Sequence, residues 1–281
     1  MSSLCYHAGE RQIQRTAGLE AEAAHVAQII QSCLSPSAEL FLSLVEIVVL
    51  AGLDDRHRCW VTMRTGRPGF IRTTRDRLHV VGGLSDADPL AVLAPGDSIG
   101  TIAIDMPHRR RLRVNGIIES ADCNGITIAV REAYPNCPKY INAAGRIRAL
   151  PLGQVVNRCR NELTDADISI LRASRTFFIG SVHPRRGADA SHRGGEPGFV
   201  QAVSRSELRF PDYAGNAMFN TLGNLAINPS VGLLAIGPCG DQLQVTGTAK
   251  ILFGEHSVES PEGRAVLVQV DESKRWRLAG N

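Results

Sequence analysis

The chain says nearly the same thing twice. Val48 to Phe70 reads VVLAGLDDRHRCWVTMRTGRPGF and Phe177 to Phe199 reads FFIGSVHPRRGADASHRGGEPGF. Each stretch runs from an apolar strand through a polar turn into Pro-Gly-Phe, and Pro68 and Pro197 set the offset at 129 residues. The echo continues: Gly100-Thr-Ile-Ala-Ile-Asp105 answers Gly232-Leu-Leu-Ala-Ile-Gly237, and Arg113-Val-Asn-Gly116 answers Gln244-Val-Thr-Gly247. A period this long exceeds that of solenoid repeats and implies two copies of one domain. The seam between two packed copies is a natural place for a ligand.

Each copy has room for its own core in a chain of 281 residues. The expected boundaries are an N-terminal arm and helix over 1–35, a first copy over 36–145, a linker over 146–160 and a second copy over 161–281. Residues 1–17 read as a polar lead. Leu19, Ala23, Val26, Ile30 and Cys33 then recur at helical spacing. Ser35-Pro36 reads as an N-cap with proline at the first helical position, and Thr164 with Asp167 as a capping-box start. Both short helices feed strands, Val48–Leu53 and Thr176–Val182.

The remainder of each copy is short branched strands: 78–81, 99–104, 112–118 and 126–130, answered by 208–210, 231–236, 243–251 and 264–270. Alternation in Leu243, Val245, Gly247, Ala249 and Ile251 suggests one inward face. One helix interrupts the strands of each copy, Pro89–Leu93 and Asn216–Ala226. The expected fold is therefore mainly β with flanking helices, two small antiparallel barrels in tandem.

Several chemistries find no motif. No Gly-x-Gly-x-x-Gly opens a helix, and Walker, His-Glu-x-x-His and Gly-x-Ser-x-Gly motifs are absent from the sequence. The histidines are dispersed, which argues against a metal site. A net charge of +3 and an aromatic content of 5% argue against a nucleic-acid platform, and no apolar run is long enough to span a bilayer. Seven cysteines without a Cys-x-x-Cys pair and no visible signal peptide fit a reducing cytoplasm. Arginines cluster at 109–111 and 113, which reads either as solvated turns or as a local anion site.

The densest polar constellation lies in the second copy. Ser191, His192 and Arg193 fall on a strand entering a Gly-rich bend, and Asn216, Asn220 and Asn224 recur every four residues beside Thr221. A helix N-terminus with hydroxyl, amide and guanidinium donors suits a phosphate. The other reading is a solvated helix face. The first copy lacks the amide row, having Ser85-Asp-Ala-Asp88 instead, and has Arg64-Thr-Gly-Arg67 where the second has Arg193-Gly-Gly-Glu196.

The second copy, with Ser-His-Arg-Gly-Gly-x-Pro-Gly-Phe-Val at 191–200, Pro211-Asp212, Gly215-Asn216, Asn220-Thr-Leu-Gly-Asn224 and Asn228-Pro229, resembles the pyridoxamine 5'-phosphate oxidase-like flavoproteins. Tyr6-His7-Ala-Gly-Glu10 and Asn136-Cys-Pro-Lys-Tyr-Ile141 are similar to the subgroup with two barrels in one chain. The resemblance implies tandem FMN-binding split barrels forming a pseudo-dimer, with FMN at their interface and the second half as its main wall. It implies cofactor contacts from Ser191, Arg193, Asn216, Asn220, Thr221 and Asn224, and a tail with Trp276 and Arg277 closing over the site. His192 is the nearby candidate for proton transfer, although strand alternation points it away from Ser191 and Arg193. The segment 216–224 departs from the family pattern in holding no basic residue, so phosphate charge falls mainly on Arg193. The implied activity is a flavin-dependent oxidoreductase acting on a small molecule, with NADH, NADPH or a separate reductase as donor. The chain would be a monomeric pseudo-dimer or a homodimer. The alternative is a non-catalytic flavin- or haem-binding module or an assembly protein.

Overall fold

The computed structural model describes residues 6–143, 152–254 and 261–278. Two antiparallel sheets dominate it. The first is built from β1 (Ile47–Leu53), β2 (Cys59–Thr65), β3 (Ile71–Thr74), β4 (Arg77–Val81), β5 (Ser98–Asp105), β6 (Arg110–Asp122) and β7 (Gly125–Pro135). The second is built from β8 (Leu152–Arg160), β9 (Thr176–His183), β10 (Gly187–Gly194), β11 (Gln201–Ala202), β12 (Glu207–Pro211), β13 (Ser230–Ile236), β14 (Gln242–Phe253) and β15 (Arg264–Leu278). The strand orders are β2-β1-β5-β6-β7-β4-β3 and β10-β9-β13-β14-β15-β12-β11, the same path in both, with β8 added beside β15. The fold is mainly β with flanking helices, as the sequence implied.

Each sheet wraps its own core. Val48, Leu50, Trp60, Leu78, Val114 and Ile128 pack in the first; Phe177, Ile179, Phe210, Leu233, Val245 and Val268 pack in the second. The alternate residues of the same strands, Val49, Ala51, Val61, Ile102, Phe178, Ala190 and Leu234, form a third cluster between the sheets. Both faces of β1 and β9 are thus buried, which explains why these strands are continuously apolar. The expected alternation of β14 begins only at Thr248, because Gln244 and Thr246 also face the buried seam.

The seam is reciprocal. Gly100 on β5 lies against Asp189 on β10, and a Cβ there would come within 2.5 Å of the Asp189 Cα. Gly232 on β13 lies against β2, where a Cβ would fall 2.9 Å from the Trp60 Cα. Gly232 answers Gly100 in the sequence echo, and Asp189 answers Trp60. Residue i of one half therefore meets residue j of the other, and the counterparts of i and j meet in return, as in a two-fold dimer.

The helices differ from expectation at the N-terminus. α1 (Ala8–Ala17) occupies most of the supposed polar lead, opened by a capping box of His7 and Glu10 and closed by Gly18 at φ 69°. The expected helix over 19–33 is instead α2 (Glu20–Val26) and one 3₁₀ turn over 27–29; Ile30 and Cys33 lie beyond it, next to a bridge between Gln31 and Ala133. α3 (Pro36–Leu44) starts at the Ser35 cap and α4 (Asp165–Ala173) at the Thr164–Asp167 box, as read from the sequence. α5 (Asn220–Ile227) starts four residues later than predicted, because Ala217 and Phe219 hold left-handed φ of 61° and 58°. Residues 152–160, assigned to the linker, form β8. No helix among the described residues is long and apolar enough to cross a membrane.

Candidate functional site

A cleft opens at one end of the seam, enclosing about 850 Å³ including its mouth. Ile102, Arg111 and Arg113 line it from the first sheet, and Ser191, His192 and Arg193 from β10. Residues 136–140 cross over from β7, and the loop 211–219 with the start of α5 completes the wall. Four cations line it (Arg111, Arg113, Lys139, Arg193) against one carboxylate, Asp212. Of six described non-glycine residues with positive φ, three are in this lining: Tyr140, Ala217 and Phe219. Backbone strain of this kind gathers where a binding surface is over-determined by its surroundings.

Arg113 is the fixed centre. It is 5% exposed, yet every nitrogen is engaged. Nε donates to the Ala190 carbonyl at 2.9 Å and lies 3.0 Å from Asp189 Oδ1; Nη1 donates to Tyr134 Oη at 3.0 Å and Asn220 Oδ1 at 2.9 Å; Nη2 bonds Ser191 Oγ. Burial disfavours its charge, but Asp189 and Tyr134 outweigh that and raise its pKa. Thr221 Oγ1 bonds Ser191 Oγ at 3.0 Å, tying α5 to the same knot.

Arg111 is held differently. Nη1 faces His192 Nδ1 at 2.8 Å and Nη2 donates to the Cys137 carbonyl at 2.5 Å, while buried Nε has no partner among the described residues. Burial, with Arg113 and Arg193 nearby, lowers its pKa to about 10. It remains charged at neutral pH, and an anion in the cleft would relieve it. Arg193 donates from Nη1 to Asp212 Oδ1 at 2.9 Å, Asp212 being shared with Arg264, and its buried Nε is likewise unpartnered. An orphaned buried donor costs about 1–3 kcal/mol; Arg64 and Arg275 each have one too, but only those of Arg111 and Arg193 belong to residues of the cleft lining.

The expected residues divide. Ser191, Arg193, Asn216, Asn220 and Thr221 come together in the lining. Asn224 lies one turn further along α5 and bonds Ser181 and His7 instead. Trp276 and Arg277 are not in the lining: Trp276 is buried and its Nε1 donates to Gln244 Oε1 at 2.6 Å, while Arg277 is exposed. The His192 ring packs edge-on against Phe178 and accepts from Arg111; burial and then the charges of Arg111 and Arg193 hold its pKa well below the usual histidine value. Its Nδ1 faces Arg111 and its Nε2 lies 3.4 Å from Thr176 Oγ1, so the ring orients Arg111. Arg111 and Arg113, read earlier as turns or an anion site, prove to be strand residues facing the cleft. Tyr140 and Tyr213 stack at 5.2 Å between centroids on its rim, and Tyr140 Oη bonds the Ala214 carbonyl at 3.0 Å.

The counterpart positions of the first half are unlike it. Thr62 answers Ser191 and bonds the buried carboxylate of Asp88; Arg64 answers Arg193 and donates to the carbonyls of Gly82 and Gly83. Gln244 answers Arg113 and donates to the Val61 carbonyl at 2.9 Å.

No protein-family model and no curated protein matches this chain. Among the solved structures it resembles are split-barrel proteins. HupZ from Group A Streptococcus aligns over 39% of this chain and 90% of its own, at 8% identity and a TM-score of 0.32. A NimC/NimA family protein from Clostridium acetobutylicum aligns over 40% and 89%, at 11% identity and 0.31. A pyridoxamine 5'-phosphate oxidase-related FMN-binding protein from Nostoc punctiforme aligns over 36% and 78%, at 10% identity and 0.26. Each spans about two-fifths of the chain.

Proposed function

We propose that the cleft binds FMN and that the protein is a flavin-dependent oxidoreductase acting on a small molecule. The observation that carries this reading is the cationic lining, with buried Nε atoms of Arg111 and Arg193 left unpartnered beside a fully engaged Arg113. Guanidinium groups in this density suit a phosphate oxygen set. The stacked Tyr140–Tyr213 pair offers a flat aromatic edge for a ring system. Bound FMN would supply hydride and electron transfer.

The chain's own part is to bind and orient. Arg111, Arg193 and Lys139 would hold the phosphate, Ser191 and Thr221 the neighbouring hydroxyls, and the 136–140 crossing would exclude water. NADH, NADPH or a separate reductase is the proposed donor. A second reading, a flavin carrier without catalysis of its own, draws on the engagement of both His192 ring nitrogens by Arg111 and Thr176.

Titration of the purified protein with FMN, followed by flavin fluorescence, tests the first step. Saturable quenching that weakens about tenfold or more in Arg193→Ala is expected. No binding, or equal binding by the variant, removes the phosphate role. Reduction of the bound flavin by NADH or NADPH separates the oxidoreductase from the carrier.

A further inference from the structure

The side chain of Asn220 faces two cavities at once. Its Oδ1 accepts from Arg113 Nη1 at 2.9 Å in the main cleft. Its Nδ2 donates to Glu10 Oε1 at 2.7 Å in a smaller polar cavity beneath α1. The second oxygen of Glu10 accepts from the His7 backbone at 2.7 Å. Both carboxylate oxygens therefore act as acceptors, which suits the ionised form.

Oε2 also lies 3.4 Å from His7 Nε2, and Oε1 is the oxygen that faces Asn220. His7 Nδ1 accepts from Gly9 N at 3.1 Å, so its Nε2 carries the ring proton and donates to Asn224 Oδ1 at 3.0 Å. A neutral Glu10 that donates from Oε1 to Asn220 turns the amide. That turn presents Nδ2, a donor, to the donor Nη1 of Arg113.

We propose that Glu10 and Asn220 are positioning residues for Arg113, whose charge stands behind the phosphate-holding Arg111 and Arg193: the N-terminal helix fixes the guanidinium through a carboxylate–amide–guanidinium chain, and phosphate affinity follows the ionisation of Glu10. The proposal rests on the FMN reading of the cleft.

The charged and titratable groups around Glu10 come from several elements. His7, Arg11 and Tyr6 lie on or beside α1; Asp189 is on β10, Glu132 on β7, and Arg186 in the turn between β9 and β10, with His183 behind His7. Asp189 is bound by Arg113 and Asn115, and Glu132 lies 3.3 Å from Arg186. Burial, reinforced by Glu132 and Asp189 and opposed by the His7 and Asn220 hydrogen bonds, raises Glu10 to about 7. Burial and His183 lower His7 to about 4, so it stays neutral while Glu10 changes charge.

The test is FMN and riboflavin titration of the full chain at pH 6 and pH 8, in wild type, Glu10→Gln and Asn220→Leu. The side-chain Nε–H NMR signal of Arg113, assigned by its loss in Arg113→Lys, is followed in parallel. Wild type is expected to bind FMN about tenfold more tightly at pH 8 than at pH 6, as one-proton linkage gives, with riboflavin indifferent to pH. Both variants are expected to bind FMN at the weak level at both pH values. The Arg113 signal is expected to move with pH in wild type and stay fixed in Glu10→Gln. Wild-type affinity and pH response in Glu10→Gln overturn the proposal, as does an equal loss of FMN and riboflavin with an unmoved Arg113 signal. If wild type binds no FMN while Arg113 still responds to Glu10, the flavin reading falls and the positioning stands. If FMN binds and Arg113 does not respond, the reverse holds.

Discussion

Arg113, on β6 of the first sheet, reaches across the seam to the carbonyl of Ala190 on β10, 2.9 Å from its Nε. Gln244 makes the matching bond to Val61 at the same distance in the other direction. The two bonds are counterparts, but one arm carries a charge and is balanced by Asp189.

Removing one partner of that buried pair leaves the other charge uncompensated. Arg113→Ala is expected to cost about 3–5 kcal/mol of unfolding free energy in urea titrations. The double variant Arg113→Gln with Asp189→Asn, which copies the neutral arm, is expected to recover most of it. A double variant no more stable than Arg113→Ala would show that the charge pair is not the source of the cost.

The glycines of the seam make a second case. A methyl group at Gly100 points at backbone 2.5 Å away and one at Gly232 at backbone 2.9 Å away, and backbone cannot swing aside. Gly100→Ala and Gly232→Ala are each expected to lower stability by about 1–3 kcal/mol, Gly100 more than Gly232. Thermal melts of both variants, compared with wild type, give the order.

Binding stoichiometry tests the inequality of the halves. Gln244 stands where the cleft has Arg113, and buried Asp88 sits on Thr62 where the cleft has Ser191. The neutral Gln244 brings no charge to balance a phosphate. Isothermal titration is expected to show one FMN per chain; two equivalent sites would contradict it.

The pH dependence of stability has opposing contributions. Glu10, at about 7 in the fold and about 4.3 when unfolded, ionises first in the unfolded chain. Its contribution is therefore present at low pH and lost as pH rises through about 7. His7 and His192 are held down and kept neutral, so theirs is present above about pH 6.5 and lost as pH falls. Comparing wild type with Glu10→Gln isolates the first: wild type is expected to lose roughly 2 kcal/mol relative to the variant between pH 5 and pH 8. A difference that does not vary with pH would place the Glu10 titration outside that window.

Strands and caps were legible because they depend on local chemistry. Branched runs marked β5, β6, β13 and β14, and Ser35 and Thr164 cap the helices their side chains announced. α1 was not legible by apolar spacing, since it docks on α5 through Gly9 against Gly223 and through the polar Glu10 and Gln14. The start of α5 was hidden because Ala217 and Phe219 hold left-handed φ, which their residue types do not favour. Ser191, Arg193, Asn220 and Thr221 were found from their polar density on one strand and one helix. Arg111 and Arg113 carried a signal too, alternating with Leu112 and Val114 as strand residues on one face. Which sheet that face would meet is a long-range fact, and so is the burial of Trp276 on Gln244.

The cleft takes walls from both halves of one chain, and the segment 136–140 belongs to the path joining them. Mass action then has no hold on its assembly. A pocket shared by two separate chains comes apart as those chains are diluted, but here each half is presented to the other at an effective concentration fixed by the connecting chain. Ligand affinity is expected to be independent of protein concentration, down to dilutions at which a two-chain site would have emptied.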